Sequence, residues 1–212
     1  LSIFDYMIHF KFSESDNNLA IALGGFTDGT TLKQLADAYS ALANNGLFSS
    51  SKYINKIETN NKIVYENKPS KTKAISSSTA YLLTNILQDT TKTGTAKRLK
   101  DFSFDIASKT GTVGSSNSNT DSYNISYTTN HTILSYIGGT SMPPNINGAT
   151  YPTMLTKDVL SELYKTKKPQ NFTPPDSVVI KHIDKTDYQN NIISQTDNIR
   201  NSITETFAKN NL

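Results

Sequence analysis

Lys109-Thr110-Gly111-Thr112 places one ammonium, two hydroxyls and a glycine in four consecutive residues. Such a group suits a substrate carboxylate. The ammonium and hydroxyls can donate charge-assisted hydrogen bonds to the anion, and a residue without Cβ lets a ligand lie against the backbone. Thr110, Gly111 and Thr112 are therefore candidate substrate-binding residues, with Lys109 beside them. The same letters recur seventeen positions earlier at Lys92-Thr93-Gly94-Thr95, so the tetrapeptide alone is not specific. Context separates the copies. Phe102-Ser103-Phe104-Asp105-Ile106-Ala107, ahead of the later copy, alternates apolar and polar residues as a strand does, and a second strand-like block runs from Tyr123 to Gly138. The earlier copy follows a helical pattern from Ser76 to Thr90, with Tyr81, Leu82, Leu83, Ile86 and Leu87 apolar, and leads into Ala96-Lys97-Arg98-Leu99-Lys100. That is how a helix C-terminus reads, since glycine and cations favour such ends. The alternative for the later copy is an exposed turn.

The elements that would position these groups follow from periodicity. Residues 1–23 carry a helical apolar pattern, and Leu23 to Thr31 is glycine-rich turn chemistry. Thr31 is placed to cap a helix from Leu32 to Ala43, with Leu35, Ala38, Tyr39 and Leu42 on one face and Asn44-Asn45-Gly46 ending it. Two strand-like pieces, Tyr53–Glu58 and Lys62–Tyr65, flank Thr59-Asn60-Asn61, a hairpin signature. A further helix is expected from Tyr151 to Lys165. Lys167 to Pro175 reads as an extended linker and Val178-Val179-Ile180 as one short strand. Beyond Asp187 the residues look like an exposed polar tail in which Ile199 to Phe207 could form a short helix. The fold class is α/β mixed (α+β), an antiparallel sheet flanked by helices. Residues 1–168 form the body, and residues 169–212 a linker and C-terminal tail.

Composition excludes several functions. The 212 residues carry a formal net charge of +3 with no Lys/Arg stripe, which argues against nucleic acid as a partner. No run of about 18 apolar residues is present to span a membrane. Zero cysteines exclude disulfides, thiolate catalysis and zinc–thiolate sites. His9, His131 and His182 are widely separated, with no acidic partner at ligand spacing, so each reads as a surface or packing residue. No metal or cofactor is expected.

Several stretches, taken in order, resemble one family. Ala22 to Leu32 with Ala36-Asp37-Ala38-Tyr39 and Ala43-Asn44-Asn45-Gly46, then Gly94-Thr95-Ala96 after a helix, are similar to runs in bacterial penicillin-binding transpeptidases. Ile106 to Thr112 resembles that family's third active-site motif. Asp121-Ser122-Tyr123, Ser126-Tyr127 and Ile137-Gly138-Gly139 resemble its return strands, with Tyr123 where an aromatic is usual. Phe172-Thr173-Pro174-Pro175 looks like the linker closing the transpeptidase domain of class A members. The resemblance covers most of residues 1–185. It implies a penicillin-binding transpeptidase/β-lactamase-like fold and a D,D-transpeptidase that cross-links peptidoglycan stem peptides through a serine acyl-enzyme and is acylated by β-lactams. In that role Lys109 and Thr112 are the catalytic candidates. The lysine tunes the nucleophile machinery, and the Thr112 N–H stabilises the oxyanion.

The family's nucleophile motif, Ser-x-x-Lys, is missing ahead of Leu23. Ser49-Ser50-Ser51-Lys52 matches by letters but follows the Asn45-Gly46 helix stop, and Ser15-Asp16-Asn17 matches the second motif too close to the Ala22–Gly25 run. The expectation is therefore the C-terminal portion of the domain, partnered by an upstream segment carrying the serine. That segment, or one before it, would anchor the protein at the extracytoplasmic face of the bacterial membrane. A serine β-lactamase or β-lactam-sensing domain, and a non-enzymatic extracellular adhesion module, are the competing readings.

Overall fold

The computed structural model describes residues 29–209. The helical pattern of residues 1–23, the turn up to Asp28 and Ser15-Asp16-Asn17 lie outside them.

Helix α1 (Leu32–Ala43) begins where Thr31 can cap it. The Thr31 hydroxyl accepts from the Gln34 N–H at 3.1 Å, and the Thr31 N–H donates back to the Gln34 side chain at 3.0 Å. This reciprocal capping box satisfies two otherwise unpaired donors. The helix ends at two left-handed residues, Asn45 (φ 52°) and Gly46 (φ 85°). A Cβ on Gly46 would strike the Ile75 carbonyl, so only glycine fits that turn. β1 (Leu47–Phe48) and β4 (Thr72–Lys73) pair beyond it. β2 (Lys56–Thr59) and β3 (Lys62–Glu66) form the expected hairpin, shorter at its start. Its turn residues Asn60 (φ 47°) and Asn61 (φ 61°) both take the left-handed conformation that two-residue hairpin loops require.

Helix α2 (Ser77–Lys92) is capped by Ser76, whose hydroxyl accepts from the Thr79 N–H at 3.0 Å. Its buried stripe is not the expected leucine-rich one. Ala80, Thr84, Gln88 and Thr91 are buried, whereas Leu83 and Ile86 are exposed. The stripe meets polar partners on the sheet: the Thr84 hydroxyl lies 2.9 Å from that of Tyr127, and the last turn lies against carbonyls that need donors. Thr90 donates to the Ser108 carbonyl at 2.7 Å and Thr91 to that of Ile106 at 3.4 Å.

The expected strand over 102–107 does not form. Lys97–Leu99 is a short 3₁₀ turn, and the chain becomes a strand only at Ala107. Phe104 and Ile106 instead join Ala96, Leu99, Leu160 and Tyr164 in the main apolar cluster, with Phe102 packed against it. Their alternation records insertion into a core, not pairing.

The central sheet is antiparallel in the order β5 (Ala107–Gly114), β6 (Asn119–Tyr127), β7 (Thr132–Met142). What reads in sequence as one block from Tyr123 to Gly138 is thus two strands joined at Thr128–His131. Helix α1 lies on one face, with Tyr39 edge-on to Tyr127 at 6.3 Å between centroids. Helix α3 (Tyr151–Leu163) lies on the other, where Thr156 and Ser135 hydroxyls meet at 2.8 Å. Residues 167–175 have no regular structure, but Phe172 packs on Tyr127. β8 runs from Val178 to Asp184, longer than expected. The helix expected over 199–207 is instead a 3₁₀ turn (Ile199–Asn201) followed by β9 (Ser202–Ala208), paired along β8 and set against α2. Ile203, Thr204 and Thr206 are β-branched, which suits a strand. The expected tail is therefore ordered pairing over 202–208. Short helix α4 (Lys185–Gln189) follows β8. Among the described residues no helix is long and apolar enough to cross a membrane.

Candidate active site

All four candidate residues lie on β5, an edge strand among the described residues. In an antiparallel pair, alternate residues direct their N–H and C=O groups toward the neighbour and away from it. The Ile106 and Ser108 carbonyls accept from α2, and the Thr110 carbonyl accepts from the Lys109 ammonium at 2.8 Å. These even-numbered residues face the outer edge, and the Thr112 N–H, next in the series, faces it too. Among the described residues the hydrogen bonds from α2 to this edge end at Ile106 and Ser108, so Thr110 and Thr112 present backbone groups beyond them.

The register sorts the side chains. Lys109, Gly111 and Val113 share a face with Ile125, Tyr123 and Asp121, while Thr110 and Thr112 share the opposite face with Asn124 and Ser122. Gly111 has a packing reason of its own: a Cβ there would run into the Tyr123 ring. Burial raises the Tyr123 pKa, and the nearby Asp121 raises it further, so its phenol is neutral and a donor at physiological pH. Tyr39 is pushed up to about 12, first by burial and then by Tyr123. Asp121 accepts from the Tyr136 hydroxyl at 2.7 Å and from Thr120 at 2.8 Å.

On the threonine face the layer beneath the site is buried and polar. Ser108, Asn124 and Ser126 are wholly buried and bond one another, with Asn124 and Ser126 each donating to the Ser108 hydroxyl at 2.9 and 2.8 Å. This closed network fixes β5 against β6 directly before Thr110. The Thr112 hydroxyl accepts from the Gly148 N–H at 3.1 Å. Asn147-Gly148 is a turn that sequence reading passed over, although the dipeptide itself signals one. A Cβ on Gly148 would meet the Gly111 backbone, so this loop lies directly on the strand. The Thr110 hydroxyl lies 2.8 Å from that of Thr95. The two copies of Lys-Thr-Gly-Thr therefore meet in space. The earlier copy is a helix end as expected, with Thr93 as C-cap, and it also reaches the site.

The other polar candidates lie elsewhere. Ser50, in the loop that matches Ser-x-x-Lys by letters, accepts from Lys33 at 3.1 Å, but Lys33 is also bound to buried Asp37 at 2.7 Å. His131 meets the Tyr164 hydroxyl at 2.8 Å and His182 lies 3.4 Å from Thr204.

An antiparallel sheet between helices, with Lys-Thr-Gly-Thr on an open edge strand, is the arrangement of one class of proteins. The penicillin binding protein transpeptidase domain matches residues 8–146, more than half of the chain, and the chain belongs to that family. Penicillin-binding protein 1F of Bacillus subtilis (strain 168) is 31% identical over 170 residues, covering 77% of this chain and 23% of its own length. Penicillin-binding protein 1A of Neisseria lactamica is 32% identical over 180 residues, covering 80% and 22%. The chain thus spans less than a quarter of these curated relatives. The crystal structure of penicillin-binding protein 1A from Haemophilus influenzae superposes with a TM-score of 0.73 at 19% identity, covering 95% of this chain and 35% of that one. PonA1 from Mycobacterium tuberculosis gives 0.59 at 21% identity, covering 74% and 43%. The fold is that of penicillin-binding proteins. Neither the β-lactamase nor the adhesion reading is favoured by these relatives.

Proposed function

We propose that this chain is the strand-bearing portion of a serine-type peptidoglycan D,D-transpeptidase, acting at the extracytoplasmic face of the bacterial membrane. The observation that carries the reading is the outer edge of β5, uncovered among the described residues, where Thr110, Thr112 and the Lys109 ammonium stand together. The nucleophilic serine is supplied by a segment outside these residues, since no Ser-x-x-Lys precedes the Ala22–Leu32 run. The donor stem peptide adds to the edge of β5. Its terminal carboxylate is held by the Thr110 and Thr112 hydroxyls, and the Thr112 N–H faces the oxyanion as the serine attacks the scissile carbonyl. Thr112 uses an acceptor lone pair on Gly148 and keeps its own proton for the carboxylate. Lys109 adds positive charge on the nucleophile's side. β-Lactams acylate the same serine. In support, a PonA1 structure contains penicillin V.

The test is the second-order rate of acylation by a penicillin in the whole protein carrying Thr112→Val. Losing one charge-assisted hydrogen bond costs about 1.5–3 kcal/mol, or roughly 10- to 150-fold in rate. An unchanged rate would sink the carboxylate role of Thr112.

A further inference from the structure

The loop after α2 brings Thr95 to the strand with more support than a surface contact needs. On one side Gly94 is pressed against α2, where a Cβ would strike the Thr90 backbone. On the other, Ala96 is wholly buried in the main apolar cluster, and its N–H donates to the Thr90 carbonyl at 3.0 Å. Thr90 itself donates to Ser108, two residues before Thr110. The loop is also tied across to the second threonine: Arg98 Nε donates to the Ala149 carbonyl at 3.1 Å, beside the Gly148 N–H that holds Thr112. Thr95 thus stands on a base fixed at both flanks, 2.8 Å from the Thr110 hydroxyl.

We infer that Thr95 is a positioning residue for the Thr110 hydroxyl. It donates its own proton to Thr110 Oγ1, so that the Thr110 proton points to the substrate carboxylate. The accounting is simple. Two hydroxyls share one hydrogen bond, and one proton of the pair remains for a third partner. An arriving carboxylate accepts a hydrogen bond from the Thr110 hydroxyl, and the chain Thr95 to Thr110 to carboxylate then runs in one direction, each bond polarising the next. Thr112 is held in the same sense by the Gly148 N–H, so both ligand hydroxyls have donors behind them. The earlier Lys-Thr-Gly-Thr copy thereby has a role its helix-end position does not require.

This inference rests on the carboxylate reading of Thr110 proposed above, and the experiment separates the two. Acylation rates with benzylpenicillin are measured in the whole protein for Thr95→Ala, Thr95→Ser, Thr110→Val and the double variant Thr95→Ala/Thr110→Val. Thr95→Ala is expected to lose about five- to tenfold, as removal of one neutral hydrogen bond does. Thr95→Ser, which keeps the hydroxyl, stays within about twofold of the parent. The double variant matches Thr110→Val alone, because the two residues act through one bond. A parent-like rate for Thr95→Ala, a serine variant as impaired as the alanine one, or losses that multiply in the double variant would each overturn the role of Thr95 while leaving Thr110 in place. A parent-like rate for Thr110→Val overturns the carboxylate reading and this inference with it.

Discussion

Lys109 and its neighbour Thr110 divide the work of one strand by facing opposite ways. The Lys109 side chain leaves β5 on the face shared with Gly111 and Tyr123, and its ammonium curls to the Thr110 carbonyl at 2.8 Å. A surface lysine extending toward water is the competing account, and it makes no demand on charge. If the ammonium serves the serine and draws in the substrate carboxylate, Lys109→Met should lose far more penicillin acylation than Lys109→Arg, which keeps the charge in a different shape. Acylation of both variants, timed in the whole protein, decides between them. Equal rates would show that the lysine is solvated surface. Gly111, two residues on, reads in sequence as room for a ligand against the backbone, and the structure adds a packing reason that the sequence did not show: the Tyr123 ring fills the volume a Cβ would take.

At the scale of elements, local signals survived and those depending on distant partners did not. The Thr31 cap, the Asn45-Gly46 stop and the Asn60-Asn61 turn are set by short-range hydrogen bonds and φ preferences, so they are visible in sequence. The polar stripe of α2 was invisible because its partners, the Ile106 and Ser108 carbonyls at the start of β5 and the Tyr127 hydroxyl, lie 15 to 43 residues away. Phe102, Phe104 and Ile106 alternate like a strand, yet their partners are Leu99, Leu160 and Tyr164. Likewise, Thr95 was read correctly as a helix end and its approach to Thr110 went unseen, since no sequence pattern reports a contact fifteen residues apart. Asp37 on α1 supplies the testable case. Burial pushes its carboxyl pKa up, but the hydrogen bonds from Lys33 and Ser51 outweigh burial and hold it below the usual value. A depressed carboxylate stabilises the fold above its unfolded pKa of about 3.9, and that contribution fades as pH falls through the lower folded value. Asp37→Asn should therefore melt at a lower temperature than the parent at pH 7, with the gap closing below about pH 4. Melting curves across that range test the linkage, and a gap independent of pH would refute it.

Under the proposed function, the described residues carry the carboxylate-binding and oxyanion groups but not the nucleophile they serve. Serine acylation needs a hydroxyl beside a base. The serine–lysine contacts among the described residues are unsuited to it: the Lys33 ammonium that reaches Ser50 is already bound to the Asp37 carboxylate at 2.7 Å, and Lys168 meets Ser103 at 2.7 Å on the exposed surface outside β5. Leu83 and Ile86 on α2, and Met154, Leu155 and Leu163 on α3, are exposed. Apolar groups placed along two helices in this way suit burial against further polypeptide. The 212-residue chain alone should therefore form no covalent adduct with a penicillin. Adding the upstream polypeptide, as one chain or as a co-expressed fragment, should restore an adduct on an upstream serine. Intact-mass spectrometry after incubation with benzylpenicillin, followed by peptide mapping, reads both outcomes directly. An adduct on a serine of this chain, Ser15 or Ser49 for example, would move the nucleophile into these residues. Failure of the joined polypeptide to acylate would remove the transpeptidase reading itself.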